Sequence, residues 1–413
     1  MAVSNVASVL LLLLLSATTM STVFCRREME LLQMAQTQVL EAKTWVEISR
    51  RQSGAASNSM LSSTSAVAPA ELGVALRDCA KLYEESEHRL NQLVLWKEDQ
   101  YQKPGFDRED VVTWVSSVMS NHRTCLEGLE EKGYVEAGHQ GLHKNLTTLL
   151  GEALHLFVKN KPKAKISSLK IFFELADVSG DGFWGRDMTI ENRAGPQDHQ
   201  AVAMKVSSDL SVFYRCSFRG YQDTLYVHSN RQFYRDSIIS GTVDFIFGDA
   251  SVVFQSCDIV LRQPMSHQPN FITAQGRDDP NEPTGIVIQN CRVRAAASGS
   301  GGAAAATKNY LGRPWKKYSR TVFMKNDLDG CIDPKGWSGE WSGGFALSTL
   351  YYAEYMNNGA GASTQNRVKW PGFHVIRAPS EVRPFSVDEF LLGSRWIPAT
   401  GVPFSAGVFK IYM

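Results

Sequence analysis

SVFYRCSFRGYQDTLYVHSNRQFYRDSIISGTVDFIFGDASVVFQSCDI, residues 211–259, contains three short strand-like runs at nearly even spacing. The runs SVFYRCSF from Ser211, RQFYRDSI from Arg231 and SVVFQSCDI from Ser251 are rich in β-branched and aromatic residues, and polar or glycine turns separate them. Cys216, Ser237 and Cys257 hold equivalent places in these runs, and Cys291 in GIVIQNCRV continues the column. RDMTIEN from Arg186 and RTVFMKNDL from Arg320 extend the series on either side. A period of about 20 residues in short β-rich units predicts a solenoid, here an all-β right-handed parallel β-helix whose coils bury their apolar faces on one another. An antiparallel sandwich is the competing architecture, and an in-register column is harder to obtain from it.

The same period gathers chemistry. Asp223 in GYQDTLY and Asp244 in GTVDFIFG are about one coil apart, and so are Gln200 and Gln222, so two acids and two amides converge on one face of neighbouring coils. Paired carboxylates divide a hydrolysis: an ionised one attacks a carbonyl, while a second, kept protonated by apolar or anionic surroundings, donates a proton to the leaving group. Gln222, directly before Asp223, is placed to donate a hydrogen bond to a developing oxyanion. A lone aspartate between apolar strand residues is more often a satisfied structural acid. The spacing is what lifts this pair above that reading.

Upstream the periodicity is helical. Met29, Leu32, Ala35, Val39, Ala42 and Val46 recur every three or four residues, as do Leu72, Ala75, Cys79, Leu82, Ser86, Leu90 and Leu93. Further helical segments run over Val111–Met119 and Leu142–Phe157, and the small-residue stretch SGAASNSMLSSTSAVAPA between the first two helices reads as a loop. Four antiparallel helices predict an all-α four-helix bundle over residues 26–158. Cys79 and Cys125 fall on its second and third helices, where either a cross-helix disulfide or two buried thiols fits. His88, His122, His139, His143 and His155 show no ligand spacing. KNKPKAK from Lys159 begins a polar, basic linker over residues 159–176, and the β-rich unit occupies residues 177–413.

Composition sets outer limits. With 43% hydrophobic residues in 413, the chain can build two cores. Its 43 basic and 42 acidic residues leave a net charge of +1, which argues against nucleic acid as a partner. VLLLLLLSA, residues 9–17, is too short to span a bilayer and reads as the hydrophobic part of a signal peptide over residues 1–25, hence secretion. Seven cysteines suit an exported chain, none at zinc-site spacing, and Asn145 opens a glycosylation sequon.

AGPQDHQAVAMKV, GYQDTLY, GTVDFIFG, ITAQGRDDPNEPTGI, YLGRPWKKYSRTVFM and RVKWPGFHVI together resemble the plant pectin methylesterases, from about Val178 to Phe404. ALRDCAKLYEES and VVTWVSSVMSNHRTCLEG are similar to the pectinesterase inhibitor domain that precedes the esterase in many plant precursors. The resemblance implies hydrolysis of galacturonate methyl esters in pectin, in the plant cell wall, by a monomer without metal or cofactor. It makes Asp244 the nucleophile, Asp223 the acid and later base, and Gln222 the transition-state donor. Gln200, Arg313 and Trp315 then bind substrate. Glycosidic cleavage, the other use of an acid pair on a polysaccharide, fits the nearby amides and arginine less well. An inactive relative that inhibits or regulates another esterase, through intramolecular or intermolecular contact of its helical half, is the alternative function.

The chain departs from the family pattern in four places. LKIFFELADVSGDGFWG passes from the linker into the middle of the family pattern, so roughly three opening coils are absent. Ser237 stands where the family has cysteine, which leaves Cys257 and Cys291 to pair with each other. SGSGGAAAAT, residues 298–307, enlarges a loop, and the basic processing motif between the two halves is missing.

Overall fold

The computed structural model describes residues 27–51, 69–98, 108–132, 140–159, 177–296, 307–339 and 344–408. The stretch read as a signal peptide, most of the small-residue loop, nearly all of the linker and most of the SGSGGAAAAT stretch lie outside these residues. The chain divides into two compact units, Met1–Ala164 and Lys165–Met413.

In the first unit, α1 spans residues 27–51, α2 Pro69–Glu98, α3 Arg108–Glu131 and α4 Gln140–Lys159. Proline opens α2, where its missing N–H costs nothing. Leu32, Ala35, Val39, Ala42 and Val46 of α1 are fully buried with Leu76, Tyr83, Leu90 and Leu93 of α2, Val115 and Val118 of α3, and Leu150, Leu154 and Phe157 of α4. Met29, Leu72 and Ala75 are only partly buried at its margin. α3 runs well beyond Met119, because Cys125 and Leu129 carry the apolar stripe onward. The disulfide Cys79–Cys125 joins α2 to α3, with Cα atoms 4.8 Å apart. Tyr83 Oη lies 2.9 Å from His122 Nδ1 between the same two helices, so that histidine is buried and satisfied.

The second unit is a stack of coils, each contributing strands to three sheets whose pairings are all parallel. Sheet A takes Asp177–Val178, Met204–Val206, Leu225–Val227, Ile246–Gly248, Asn270–Gln275 and Asn309–Pro314. Sheet B has eight strands, from Trp184–Arg186 to Phe373–Val375, and sheet C six, from Thr189–Glu191 to Asp327–Leu328. Asp177–Val178, Trp184–Arg186 and Thr189–Glu191 form the terminal strands of the three sheets, so this coil closes one end of the described stack. Inside, Phe213, Tyr234 and Phe254 stack with ring centroids 4.8 and 4.5 Å apart. On the outer face of sheet B, Val212, Phe233, Val253, Val287 and Val322 pack under the C-terminal helices α5, Pro379–Val382, and α6, Val387–Leu391.

The runs read above as single strands are bent pairs. Ser211–Tyr214 belongs to sheet B and Ser217–Arg219 to sheet C, with Arg215 between them at φ 53°. Asp187, Asp236, Ser256, Asn290, Lys325 and Met356 repeat this left-handed corner in other coils. The next residue in each coil forms the Cys216–Ser237–Cys257–Cys291 column, prolonged by Asn326 and Asn357. Cys216 N–H donates to Ser237 Oγ at 3.0 Å, Cys257 N–H to Cys291 Sγ at 3.2 Å, and Cys291 N–H to Asn326 Oδ1 at 2.9 Å. Thus Ser237 does by hydroxyl what its neighbours do by thiol or amide. Cys257 and Cys291, expected to pair, are instead free buried thiols, each serving the ladder as a hydrogen-bonding side chain.

Candidate functional site

Parallel pairing fixes which residues of sheet A stand side by side. Leu225 pairs with Ile246 and Tyr226 with Phe247, so Asp223 and Asp244, each two residues before those leading leucine and isoleucine positions, occupy the same place in successive coils. Both backbones are left-handed, at φ 60° and 50°. Such a conformation costs a non-glycine residue about 1–2 kcal/mol, and the coil contacts hold it. Asp223 N–H donates to Val243 O at 2.9 Å, and Leu225 N–H to Phe245 O at 2.9 Å. Thr224 Oγ1 donates to Tyr221 O and Ser240 O, both at 3.1 Å.

Asp244 is 5% exposed and faces Arg313, 69 residues further on at the start of GRPW. Arg313 Nε donates to Asp244 Oδ1 at 2.8 Å and to Oδ2 at 3.0 Å, and Nη2 also donates to Oδ2. Asp223 is 8% exposed. Its carboxyl is pushed up from the ordinary 3.8 to about 7, chiefly by burial and then by the Asp244 charge, with Arg313 and a hydrogen bond from Gln200 acting the other way. Burial raises Asp244 as well, but there the guanidinium opposes it through both charge and direct hydrogen bonds. The two acids are therefore unequal: negative charge favours Asp244, against the cation, and the proton favours Asp223.

Gln200 and Gln222 are bridged as parallel neighbours, and Ala201 N–H donates to Gln222 O at 3.2 Å. Gln200 is exposed and Gln222 half-buried. Trp315 lies against the backbone at Gly276, where a Cβ would come within 3.0 Å of the indole. Its ring meets Phe247 edge-on at 5.9 Å. The structure thus brings all six residues singled out from the sequence onto two features of one sheet, the acid–amide corner and the aromatic face beside it. Among the described residues, no group of three or more His, Cys, Asp or Glu side chains is arranged to hold a metal ion.

Sequence reasoning missed Tyr226. Its ring stacks on Phe247 at 4.4 Å and approaches Trp315 at 6.4 Å, completing a three-ring platform. The one-coil offset that linked the acids, applied to Phe247, points straight to it. Arg262 was also missed. Its guanidinium lies 3.8 Å over the Tyr221 ring and donates to Gly220 O and Tyr221 Oη, both at 2.8 Å, bracing the backbone just before Gln222 and Asp223. Nothing in the local sequence marks an arginine 41 residues away as the partner of that tyrosine.

A family model described as pectinesterase matches residues 160–394, and one described as plant invertase/pectin methylesterase inhibitor matches residues 17–156. The chain is 41% identical to a probable pectinesterase/pectinesterase inhibitor 36 of Arabidopsis thaliana, over 92% of this chain and 94% of the relative. That alignment runs over 510 residues, more than the 413 present, so the relative contains residues with no counterpart here. A pectinesterase 2 of Citrus sinensis is 41% identical over 81% of this chain and 82% of its own. Among solved structures, the pectin methylesterase from carrot superposes with a TM-score of 0.54 at 53% identity, covering 56% of this chain and 72% of that one.

Proposed function

The chain belongs to the pectinesterase family, with an inhibitor-family helical region ahead of the esterase, and we propose that Asp244 and Asp223 divide its hydrolysis of pectin methyl esters. The observation that carries this assignment is the inequality of the acids: Asp244 clamped by Arg313, Asp223 buried one coil away with its carboxyl at about 7. A group poised near neutrality serves as acid in one step and base in the next.

In the first step an Asp244 oxygen attacks the carbonyl carbon of the galacturonate methyl ester. The carbonyl oxygen becomes an oxyanion that accepts hydrogen bonds from the side-chain amides of Gln222 and Gln200. The C–O bond to methoxide then breaks as Asp223 delivers its proton, and methanol leaves. An acyl group remains on Asp244. Asp223, now ionised, takes a proton from water as that water attacks the same carbon. Collapse of the second tetrahedral intermediate frees Asp244 as carboxylate and releases the galacturonate acid. Arg313 keeps Asp244 aligned and anionic between turnovers, and Trp315 offers a flat face to the sugar ring.

Secretion to the plant cell wall, where methylated homogalacturonan is the substrate, belongs to the same proposal, as does action as a monomer. The helical unit is the candidate inhibitory region for this esterase or another. Methanol release from highly methylated pectin by the full chain tests the assignment. Asp244→Asn lowers the rate by about a thousandfold or more while the circular dichroism spectrum is kept; an Asn variant as active as the native chain refutes Asp244 as nucleophile.

A further inference from the structure

We propose that Arg262 is a positioning residue for proton delivery, holding Gln222 and Asp223 in place against Asp244 while methoxide departs. This deepens the reading just given and rests on it. Arg219 pairs with Ser240 and Ser240 with Val260, so Tyr221, Thr242 and Arg262, each two residues further on, hold one place in three successive coils. At about 4.8 Å per coil, the Arg262 side chain spans the coil of Asp244 to reach the coil of Asp223. It arrives with its whole fork. Nη1 donates to Gly220 O and Nη2 to Tyr221 Oη, both at 2.8 Å, and the guanidinium lies 3.8 Å over the Tyr221 ring.

The main chain of the same residue holds the second acid. Arg262 N–H donates at 2.8 Å to the carbonyl of Gly241, three residues before Asp244. Its own carbonyl accepts from Asn270 Nδ2 at 2.9 Å, and Nδ2 also donates at 2.8 Å to Oδ1 of Asn309, the first residue of the strand Asn309–Pro314 that carries Arg313. One half-buried residue is thus bonded to both acid-bearing turns and, through one amide, to the strand of the arginine that clamps Asp244. Ladder bonds fix a coil only to its neighbours, whereas this side chain ties a coil to the next but one. The consequence falls on Asp223. Its backbone is left-handed, and the residues that lead into it, Gly220 and Tyr221, are the ones Arg262 grips. A carboxyl displaced by about 1 Å no longer meets the departing oxygen, and such a misplacement costs on the order of a hundredfold in rate. A lysine, with one compact ammonium, cannot make both bonds and the stack.

The test uses the full chain and two esters of one polygalacturonate preparation, the methyl ester and the 2,2,2-trifluoroethyl ester. Methoxide leaves only as it is protonated, whereas trifluoroethoxide, a far weaker base, needs little help from an acid. The ratio of kcat/KM for the trifluoroethyl over the methyl ester therefore reads proton delivery in the step that breaks the C–O bond. Both rates come from one enzyme preparation, so a reduced folded fraction cancels. Arg262→Ala raises the ratio about tenfold, and Arg262→Lys about as much, the share of the loss due to Gln222 falling on both esters alike. Tyr221→Phe, which deletes one oxygen and keeps the ring, raises it about threefold and adds nothing on the alanine background. A native ratio in Arg262→Ala or in Tyr221→Phe overturns the proposal, as does restoration of the native ratio by lysine. Asp223→Asn raises the ratio most of all; an Asp223→Asn chain with the native ratio refutes the assignment of the acid itself, whatever the Arg262 variants show.

Discussion

The two units of this chain bury their interiors by opposite bookkeeping of neighbours. In the helical unit a residue's own-helix neighbours lie three or four positions away, but its partner on another helix follows no fixed number: Tyr83 meets His122, and Cys79 meets Cys125. In the β-helix a constant offset of 21 names the partner directly across several strands, as for Leu225 with Ile246 and Ser217 with Ile238. Like therefore stacks on like: acid beside acid, amide beside amide, ring beside ring. A stack of like charges is unfavourable, and here burial and the Asp244 charge raise the Asp223 carboxyl while Arg313 bonds Asp244 directly and opposes the rise there. The helical unit, lacking such columns, shows no comparable constellation among its described residues.

Breaking a column has the largest expected effect. Gly248 ends GTVDFIFG at φ 132°, and a Cβ there runs into the Val227 carbonyl oxygen of the preceding coil. Gly248→Ala is expected to destabilise the β-helix by on the order of 4 kcal/mol and to abolish methanol release, while leaving amide exchange protection in α1–α4 unchanged. Protection lost equally from both units contradicts this separation.

Removing the staple of the helical unit comes next. Cys79 and Cys125 close a span of 46 residues, and the double substitution to serine is expected to cost that unit about 3 kcal/mol, read as a lower denaturation midpoint by helical circular dichroism.

The smallest effect belongs to the β-helix and is read from its sign. Folding raises the Asp223 carboxyl to about 7, so the folded chain holds that proton more tightly than the unfolded one. Its contribution to stability is full below the ordinary aspartate range and fades as pH rises through about 7. Asp223→Asn removes this dependence, so its stability relative to the native chain improves by roughly 2 kcal/mol between pH 5 and pH 8 in denaturant titrations. In the native chain the same titration places the alkaline limb of kcat/KM near pH 7, as the proton donor of the first step is lost. A flat difference across that range would mean that Asp223 is not the group carrying the proton.

Much of this was legible because the repeat is. The column through Cys216 and Ser237 announced the solenoid, and the same offset placed Asp223 beside Asp244 and Gln200 beside Gln222. The helical stripe Leu32 to Val46 gave α1 its buried face. What stayed hidden was non-periodic. The strand runs looked continuous because nothing in Arg215 or Ser256 signals a left-handed corner as glycine would, and their conformation is imposed by the coils above and below. Arg262 over Tyr221 joins loops of different coils, so its partner follows from three-dimensional closure and not from spacing. The family resemblance left Cys257 and Cys291 to pair with each other, whereas the ladder uses their thiols as it uses Ser237 and Asn326.

The left-handed corner also bears on how such a chain tolerates change in length. Successive members of its ladder are separated by 21 residues in one coil and by 34, 35 and 31 in later ones, yet each returns to the same corner and the same hydrogen bond. An insertion is thus absorbed within the coil where it arises, and the residues beyond it keep their alignment. Sequence can be gained or lost between corners during evolution without moving the acids out of line, so the lineage can reshape its polymer-facing loops independently of its chemistry.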